Sequence, residues 1–358
     1  MISAVHAVTV STDFSSSDRT AHEHRLAKKF FHFYGLTIEV SSDSPELVEE
    51  VRRHFAYFAV AGTPGDVKIE MHLAEPPYAG LPPLRASVIT PRNICFQNDR
   101  ISYIDYFGQG LAIFDREKKT CVIYGKESDL VHEIAYLFIL STVGQYLDTR
   151  KLHRVHSLGV SYNDKGILLL LPSGGGKSTL ALELMRRPGF FLLGEDTPLI
   201  DSSARVLPFP LRLGVRPEED PEIPAQYLRT VSRMEFDPKT LIDIEYFGDR
   251  LGKPVQAGLI LVGERNLGEV SEIVPLGKAG AFKATIKYVI VGLGVYQGLE
   301  FLLERGLSEL LGKSGVFASR FYNSLILVAR TPAYRFVMGR NIEKNTETFV
   351  QFIQRKYG

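Results

Sequence analysis

The residues best suited to chemistry stand between positions 171 and 196. The run Leu171-Pro172-Ser173-Gly174-Gly175-Gly176-Lys177-Ser178-Thr179 couples a glycine cluster to a Lys-Ser pair. Glycines let successive backbone N–H groups converge on an anion, and a helix starting at Lys177 adds its positive dipole end and its unbonded N–H groups. A lysine ammonium in that position reaches the β- and γ-phosphates of a nucleotide, and the hydroxyl that follows it can ligate Mg²⁺. Ser173, Gly174, Gly175, Gly176, Lys177, Ser178 and Thr179 are therefore the candidates for binding a nucleotide such as ATP. Glu195 and Asp196 follow a short distance on. Adjacent carboxylates facing a triphosphate are tolerable when one holds Mg²⁺ and the other takes a proton from an incoming hydroxyl. They titrate as a coupled pair, so residue type alone leaves the division of roles open. The pattern G-x-x-x-x-G-K-[ST] wants glycine at 171, where this chain has Leu171.

The elements that must position these groups can be read outward from the loop. Ile167–Leu171 is an apolar run that reads as a buried strand, and Leu180, Ala181, Leu184 and Met185 give the following stretch one apolar helical face. A helix of roughly 11 residues covers about 16 Å before Arg187-Pro188-Gly189 stops it. The apolar strand 190–194 returns about 16 Å. If it runs parallel to 167–171, it ends level with the loop and delivers Glu195 and Asp196 there. Upstream, 155–162 and 167–171 form a hairpin about Asn163-Asp164-Lys165-Gly166. That register sets His156 opposite Ser173, where the γ-phosphate would sit, and leaves His153 out of register as a structural residue.

The remainder bounds the class of molecule. At about 150 residues per domain, 358 residues suggest two domains. Lys+Arg 42 against Asp+Glu 41 gives a net charge of +1, which supplies no field for a nucleic-acid partner. Cys95 and Cys121 are too few for a disulfide scaffold and lack zinc spacing. Met1–Val10 does not read as a signal peptide. The apolar stretches 130–147 and 286–303 are interrupted by polar residues or glycines and read as buried helices. A cytoplasmic protein without a membrane partner is expected. Residues 1–28 read as a flexible leader, 29–150 as a small α+β domain and 151–358 as the domain carrying the loop. Within 29–150 the expected elements are a strand at 36–40 and a helix from Pro45 to about Val60, capped by Ser44. A strand at 67–73, antiparallel strands near 86–90, 93–98, 101–107, 111–115 and 120–124, and a helix over 129–148 follow. The aromatic cluster Phe30, Phe31, Phe33 and Tyr34 reads as a strand. Gly292, Gly294 and Gly298 read as close helix packing rather than a dinucleotide turn. Arg212, Arg216, Arg250 and Arg265 are candidate transition-state cations, Arg212 foremost although a surface role is its more expected reading, while Asp237, Asp243 and Glu245 read as a solvated acidic region.

Together these residues resemble the HPr kinase/phosphorylase family, in particular its wider group of related serine kinases. The resemblance is carried by His156-Ser157-Leu158-Gly159-Val160, Pro172–Thr179, Ala181-Leu182-Glu183-Leu184 and Gly194-Glu195-Asp196. Leu207–Arg212 and Leu327–Gly339, the latter with Pro332-Ala333-Tyr334-Arg335, look like later stretches of related kinases. The likeness is strong over 153–212, looser over 213–340 and only architectural over 30–150. Leu171 replaces a glycine, Glu195 replaces the usual first Asp, and the long Gly/Arg-rich signature of HPr-directed enzymes is not found, so a relative is implied. The resemblance implies an α/β fold, with an N-terminal α+β domain followed by a P-loop kinase domain of the phosphoenolpyruvate carboxykinase-like type with a mixed sheet. It implies ATP and Mg²⁺ as cofactors and a serine-type hydroxyl of a protein or peptide as acceptor, with homo-oligomers among relatives. It casts Lys177 as a phosphate contact, Ser178 and Asp196 as metal ligands, Glu195 as base and His156 as a contact at the transfer site. The rival reading is a nucleotide-binding regulatory or assembly module that does not transfer. A transport-type ATPase is set aside, because no L-S-G-G-Q signature follows and the acid pair comes too soon after Lys177.

Overall fold

A computed structural model describes residues 26–62, 64–215, 223–231, 239–290 and 314–358. Arg216, Asp237, the glycines at 292–298 and all but the end of the expected leader lie outside the described residues. The chain is a mixed α/β protein built on mixed sheets.

The N-terminal half pairs β1 (Ala27–Phe33) with β2 (Leu36–Ser42), so the first two residues of β1 fall within the segment assigned to the leader. Phe31 and Phe33 point into the core while their neighbours stay outside, the period-two pattern of a half-buried strand. Helix α1 (Pro45–His54) starts as expected, with the Ser44 side chain accepting from the Leu47 N–H at 3.3 Å. It stops well short of Val60 because Phe55 and Phe58 turn into an aromatic cluster with Phe33 and Phe209, and the two-residue strand β3 (Ala59–Val60) follows. Strand β4 (Val67–Leu73) lies between β2 and the far end of a meander. The meander comprises β5 (Ala86–Ile89), β6 (Ile94–Gln97), β7 (Ile101–Asp105), β8 (Gly110–Asp115) and β9 (Thr120–Gly125), antiparallel throughout. Helix α2 (Ser128–Thr149) covers this sheet. Among the described residues it is the one helix long and apolar enough to cross a membrane, and 72% of its apolar window is buried inside the molecule.

The C-terminal half begins with β10 (His153–Arg154), then the hairpin of β11 (Ser157–Tyr162) and β12 (Lys165–Leu170). Tyr162 pairs with Lys165, so the turn is Asn163-Asp164 alone, both residues at positive φ as a two-residue hairpin turn requires. The expected turn was centred one residue too late, and His156 comes level with Leu171. Helix α3 (Lys177–Met185) has 9 residues, fewer than expected, because Pro188 keeps the preceding backbone out of the helical region. Strand β13 (Phe190–Glu195) then pairs antiparallel with β11, which puts it parallel to β12 with β11 between them. On the other side β12 runs parallel to β19 (Val255–Arg265), and β19 runs parallel to β21 (Ala333–Met338), itself edged by β20 (Glu272–Pro275). Short strands β14 (Leu199–Ile200) and β15 (Arg205–Leu207) extend the sheet from the start of β19. A separate small sheet holds β16 (Leu213–Val215), β18 (Lys239–Ile242) and β17 (Leu228–Val231).

Both faces of the central sheet are covered. Ile167 and Leu169 pack with α3 and with α6 (Ile342–Tyr357). Leu168 and Leu170 pack on the opposite side with α4 (Lys278–Thr285) and α5 (Ser314–Arg330). A strand buried on both faces reads as a continuous apolar run, which is what 167–171 is.

A buried polar junction ties the two halves together. Arg212 places Nε 2.7 Å from Asp243 Oδ1 and Nη1 3.3 Å from His54 Nε2. Arg53 reaches Asp243 at 3.1 Å, and Arg52 grips Glu245 through two bonds of 3.0 and 2.9 Å. Asp243 is therefore paired and buried in the junction rather than solvated, Glu245 is paired with Arg52 at its exposed edge, and Arg212 is a buried junction residue. The His54 and His132 rings stack at 4.8 Å. Burial drives His54 well below the ordinary histidine value and, with the Arg212 charge, pushes His132 down to about 4. A depressed histidine stabilises the fold above its unfolded value and withdraws that contribution as pH falls through the folded one. For His132 the window runs from about 6.5 to about 4 and is worth about 3 kcal/mol when complete. Denaturant titrations across that window should show a steep acid loss of stability that is visibly shallower in His132→Gln; parallel slopes would remove His132 from the acid response.

Candidate functional site

Strand β12 ends beneath the loop, where Leu171 is fully buried. The loop turns over it: Gly174 and Gly176 hold φ of 73° and 99°, a left-handed backbone that favours glycine, and the Gly175 N–H donates to the Pro172 carbonyl at 3.1 Å. A Cβ on Gly175 would stand 2.5 Å from Leu171 Cγ, and one on Gly263 would also collide with the Leu171 side chain. The leucine at the position of the motif's first glycine is thus a plug, accommodated because the loop above it and the strand beside it carry no side chain. Gly176 caps α3, whose first-turn N–H groups have no partner within the helix.

Lys177 is buried, and its ammonium sits inside the loop. Nζ donates to the carbonyls of Leu171 at 2.8 Å and Pro172 at 3.2 Å, and lies 3.1 Å from Asp196 Oδ1 and 3.2 Å from His156 Nε2. His156 Nε2 is also 3.4 Å from Ser173 Oγ, while Nδ1 is 3.6 Å from Asp196 Oδ1. Burial lowers the proton affinity of His156, Asp196 opposes this, and the Lys177 and Lys287 charges add to the lowering. The neutral ring can accept from Lys177 at Nε2 while its Nδ1–H faces Asp196. Tyr288 fixes its plane: the rings stack at 6.1 Å and 15°, and the His156 N–H donates to the Tyr288 carbonyl at 3.0 Å.

The neighbouring acids part company. Asp196 has a φ of 71°, left-handed and unusual for a residue with a side chain, and its N–H donates to the Ser157 carbonyl at 3.0 Å. This twist sends the two carboxylates in different directions. Glu195 turns inward, is 9% exposed and accepts from Ser178 Oγ at 2.8 Å. Burial and the Asp196 charge push its carboxyl up to about 7, against the Ser178 bond and the charges of Lys239 and Lys177. Asp196 stays beside Lys177 with its side chain 42% exposed.

His156, Ser173, Lys177, Ser178, Glu195 and Asp196 therefore converge as sequence spacing predicts. Thr179 lies in the first turn of α3. The expected metal pair, Ser178 and Asp196, is not in mutual contact; Ser178 bonds Glu195 instead. Among the described residues there is no cluster of three His, Cys, Asp or Glu side chains able to hold a metal by themselves. The donor set suits a cation held by the Ser178 hydroxyl, one carboxylate and a ligand's own phosphates. His156 Nδ1 and Ser157 Oγ are buried atoms without a hydrogen-bond partner, consistent with a site shaped for a guest.

Of the three candidate arginines among the described residues, Arg265 is the one brought to the loop: its Nη1 lies 3.8 Å from where a Gly176 Cβ would be. Arg250 instead donates to the Arg187 carbonyl beyond the far end of α3, at 3.3 Å. Arg265 ends β19, the parallel neighbour of the loop's own strand, a position that strand pairing alone reveals. Tyr288, Lys287 and Lys239 were not anticipated and carry no local sequence signal. No protein-family model matches the chain, and no curated protein matches it.

The plug makes a test of the loop. Gly175→Ala should cost about 1–3 kcal/mol through overpacking on Leu171, and Leu171→Ala in the same chain should recover part of that loss in thermal denaturation. Additive losses would mean that the two do not share the space.

Proposed function

We propose that the chain is an ATP- and Mg²⁺-dependent kinase that transfers the γ-phosphoryl group to a serine-type hydroxyl of a protein or peptide, related to the HPr kinase group. In this reading the C-terminal half is a P-loop kinase domain of the phosphoenolpyruvate carboxykinase-like type. The observation that carries it is the convergence on one loop of a buried lysine, a histidine and two carboxylates that face different partners. Lys177 and the first-turn N–H groups of α3 would hold the phosphates. Bound Mg²⁺ would neutralise charge on the phosphate oxygens. The contacts favour Glu195, bonded to Ser178, as the carboxylate on the metal side, and Asp196 as the group open to the acceptor. Asp196 would take the hydroxyl proton as the acceptor oxygen bonds to the γ-phosphorus and the bond from that phosphorus to the bridging oxygen breaks, leaving ADP. His156 would orient Asp196 and the transferring group. Arg265 would add a cation beside Gly176. The buried free cysteines Cys95 and Cys121 support a reducing, cytoplasmic setting. The Lys177–Asp196 pair also supports a second reading, a nucleotide-binding module in which those charges neutralise each other and nothing is transferred.

Calorimetric titration with Mg²⁺-ATP, together with label transfer from γ-labelled ATP to candidate peptides, tests both readings. Binding should be lost in Lys177→Ala. Asp196→Asn should bind and not transfer, and binding without transfer in every acceptor tried would favour the module. Glu195 must lose its proton to hold a cation, so the Mg²⁺-dependent part of binding should weaken about tenfold per unit below pH 7; a flat profile from pH 5.5 to 8 would remove Glu195 from the metal. Arg265→Ala should lower ATP affinity by roughly tenfold, as loss of one charge-assisted contact does.

A further inference from the structure

A second line of polar groups lies away from the loop, where three distant segments meet. Asp148, in the last turn of α2, places Oδ1 2.9 Å from His153 Nδ1, and His153 Nε2 stands 2.8 Å from Ser319 Oγ on α5. Arg320 clamps the same carboxylate, with Nη2 2.9 Å from each oxygen, and donates through Nη1 to the Val289 carbonyl at 2.9 Å. Burial would raise the Asp148 carboxyl, but His153 and the Arg320 charge outweigh it and hold the group below its ordinary value. The ionised carboxylate accepts from Nδ1–H, which leaves Nε2 as the acceptor for the Ser319 hydroxyl. His153 is fully buried, so its ring is held in this orientation from both sides. Ser319 itself is only half-buried. Its neighbours one turn away are Gly315 and Tyr322. A Cβ on Gly315 would meet nothing within 4 Å, and Tyr322 is 54% exposed. A hydroxyl bonded to a buried, oriented base and bordering open space has the arrangement of an activated nucleophile, whatever the order of its members along the chain. A hydrogen bond that only braced these elements would need no such opening.

We propose that Ser319 is a second reactive site, a nucleophile that takes an acyl group from an activated ester. Ser319 Oγ bonds to the ester's carbonyl carbon as its proton passes to His153 Nε2. The bond from that carbon to the leaving oxygen breaks, and Nε2 returns the proton to the departing alcohol. The products are O-acyl Ser319 and the free alcohol. The Ser319 N–H lies inside α5 and is committed to the helix, so it offers the developing oxyanion nothing and a good leaving group is required. Asp148 acts through His153, by fixing its tautomer. The site is independent of the nucleotide-binding reading.

The probe is p-nitrophenyl acetate. The full chain should release about one equivalent of p-nitrophenolate in a burst, and peptide mass mapping should find the acetyl group on Ser319. Ser319→Ala should abolish the burst. His153→Gln should slow it roughly a hundredfold, as loss of a general base does. Thermal melting of both variants confirms folding. The burst should also slow in deuterium oxide, because the serine proton is in transit; this reading needs no variant. Absence of a burst, or acetylation found only on other residues, would overturn the proposal. So would an unchanged burst rate in folded His153→Gln, or equal rates in the two waters, because Ser319 would then react without its base. The probe carries no phosphate, so none of these outcomes bears on the nucleotide site.

Discussion

The site depends on how a buried ammonium is compensated. Taking a lysine charge out of water is costly unless oxygen atoms surround it, and Lys177 has two loop carbonyls, a carboxylate and an imidazole nitrogen around it. They come from three places: both carbonyls from the end of β12, the carboxylate from the turn after β13 and the imidazole from the residue before β11. The hairpin, the helix and the return strand must all be in register for the charge to be met. A shift of any one of them would remove part of that compensation from a buried charge, so a single side chain couples the local geometry of three strands to the stability of the loop.

The N-terminal half takes part in this arrangement. Tyr136 of α2 packs on His54 at 4.6 Å, and its hydroxyl, raised above the ordinary tyrosine value by burial, also feels the charges of Asp196, Arg154, Arg212 and Glu195. The polar junction and the acid pair thus share one electrostatic neighbourhood. Phe209, two residues past the end of β15, stacks into the aromatic cluster of the N-terminal half, while its carbonyl accepts from Thr197 beside the acids at 3.2 Å. Packing in one half is therefore transmitted by covalent chain to the strand end of the other.

Much of this was legible from residue order. Apolar runs and turn residues placed the meander strands, the strand before the loop and the return strand to within a residue or two, because those signals are local. The convergence of His156, Lys177, Glu195 and Asp196 followed from strand and helix lengths. What escaped was set by pairing between distant segments. Nothing local says that β11 lies between β12 and β13, or that Gly263 makes room for Leu171. Arg212 was read as a candidate at the chemistry because its neighbours suggested it, yet its partners are Asp243, Glu50 and His54, supplied from elsewhere in the chain. Tyr288 reaches His156 from the π-helical segment that continues α4, more than a hundred positions away.

The inverted backbone at Asp196 has one more consequence. A residue with a branched or long side chain pays a conformational penalty there whatever its charge, whereas asparagine and glycine accept that geometry. Chemistry and backbone preference therefore filter replacements separately at this position. A related chain in which the loop persists without a need for this carboxylate would be expected to settle on a short amide or on glycine, keeping the shape of the bend after its charge had gone.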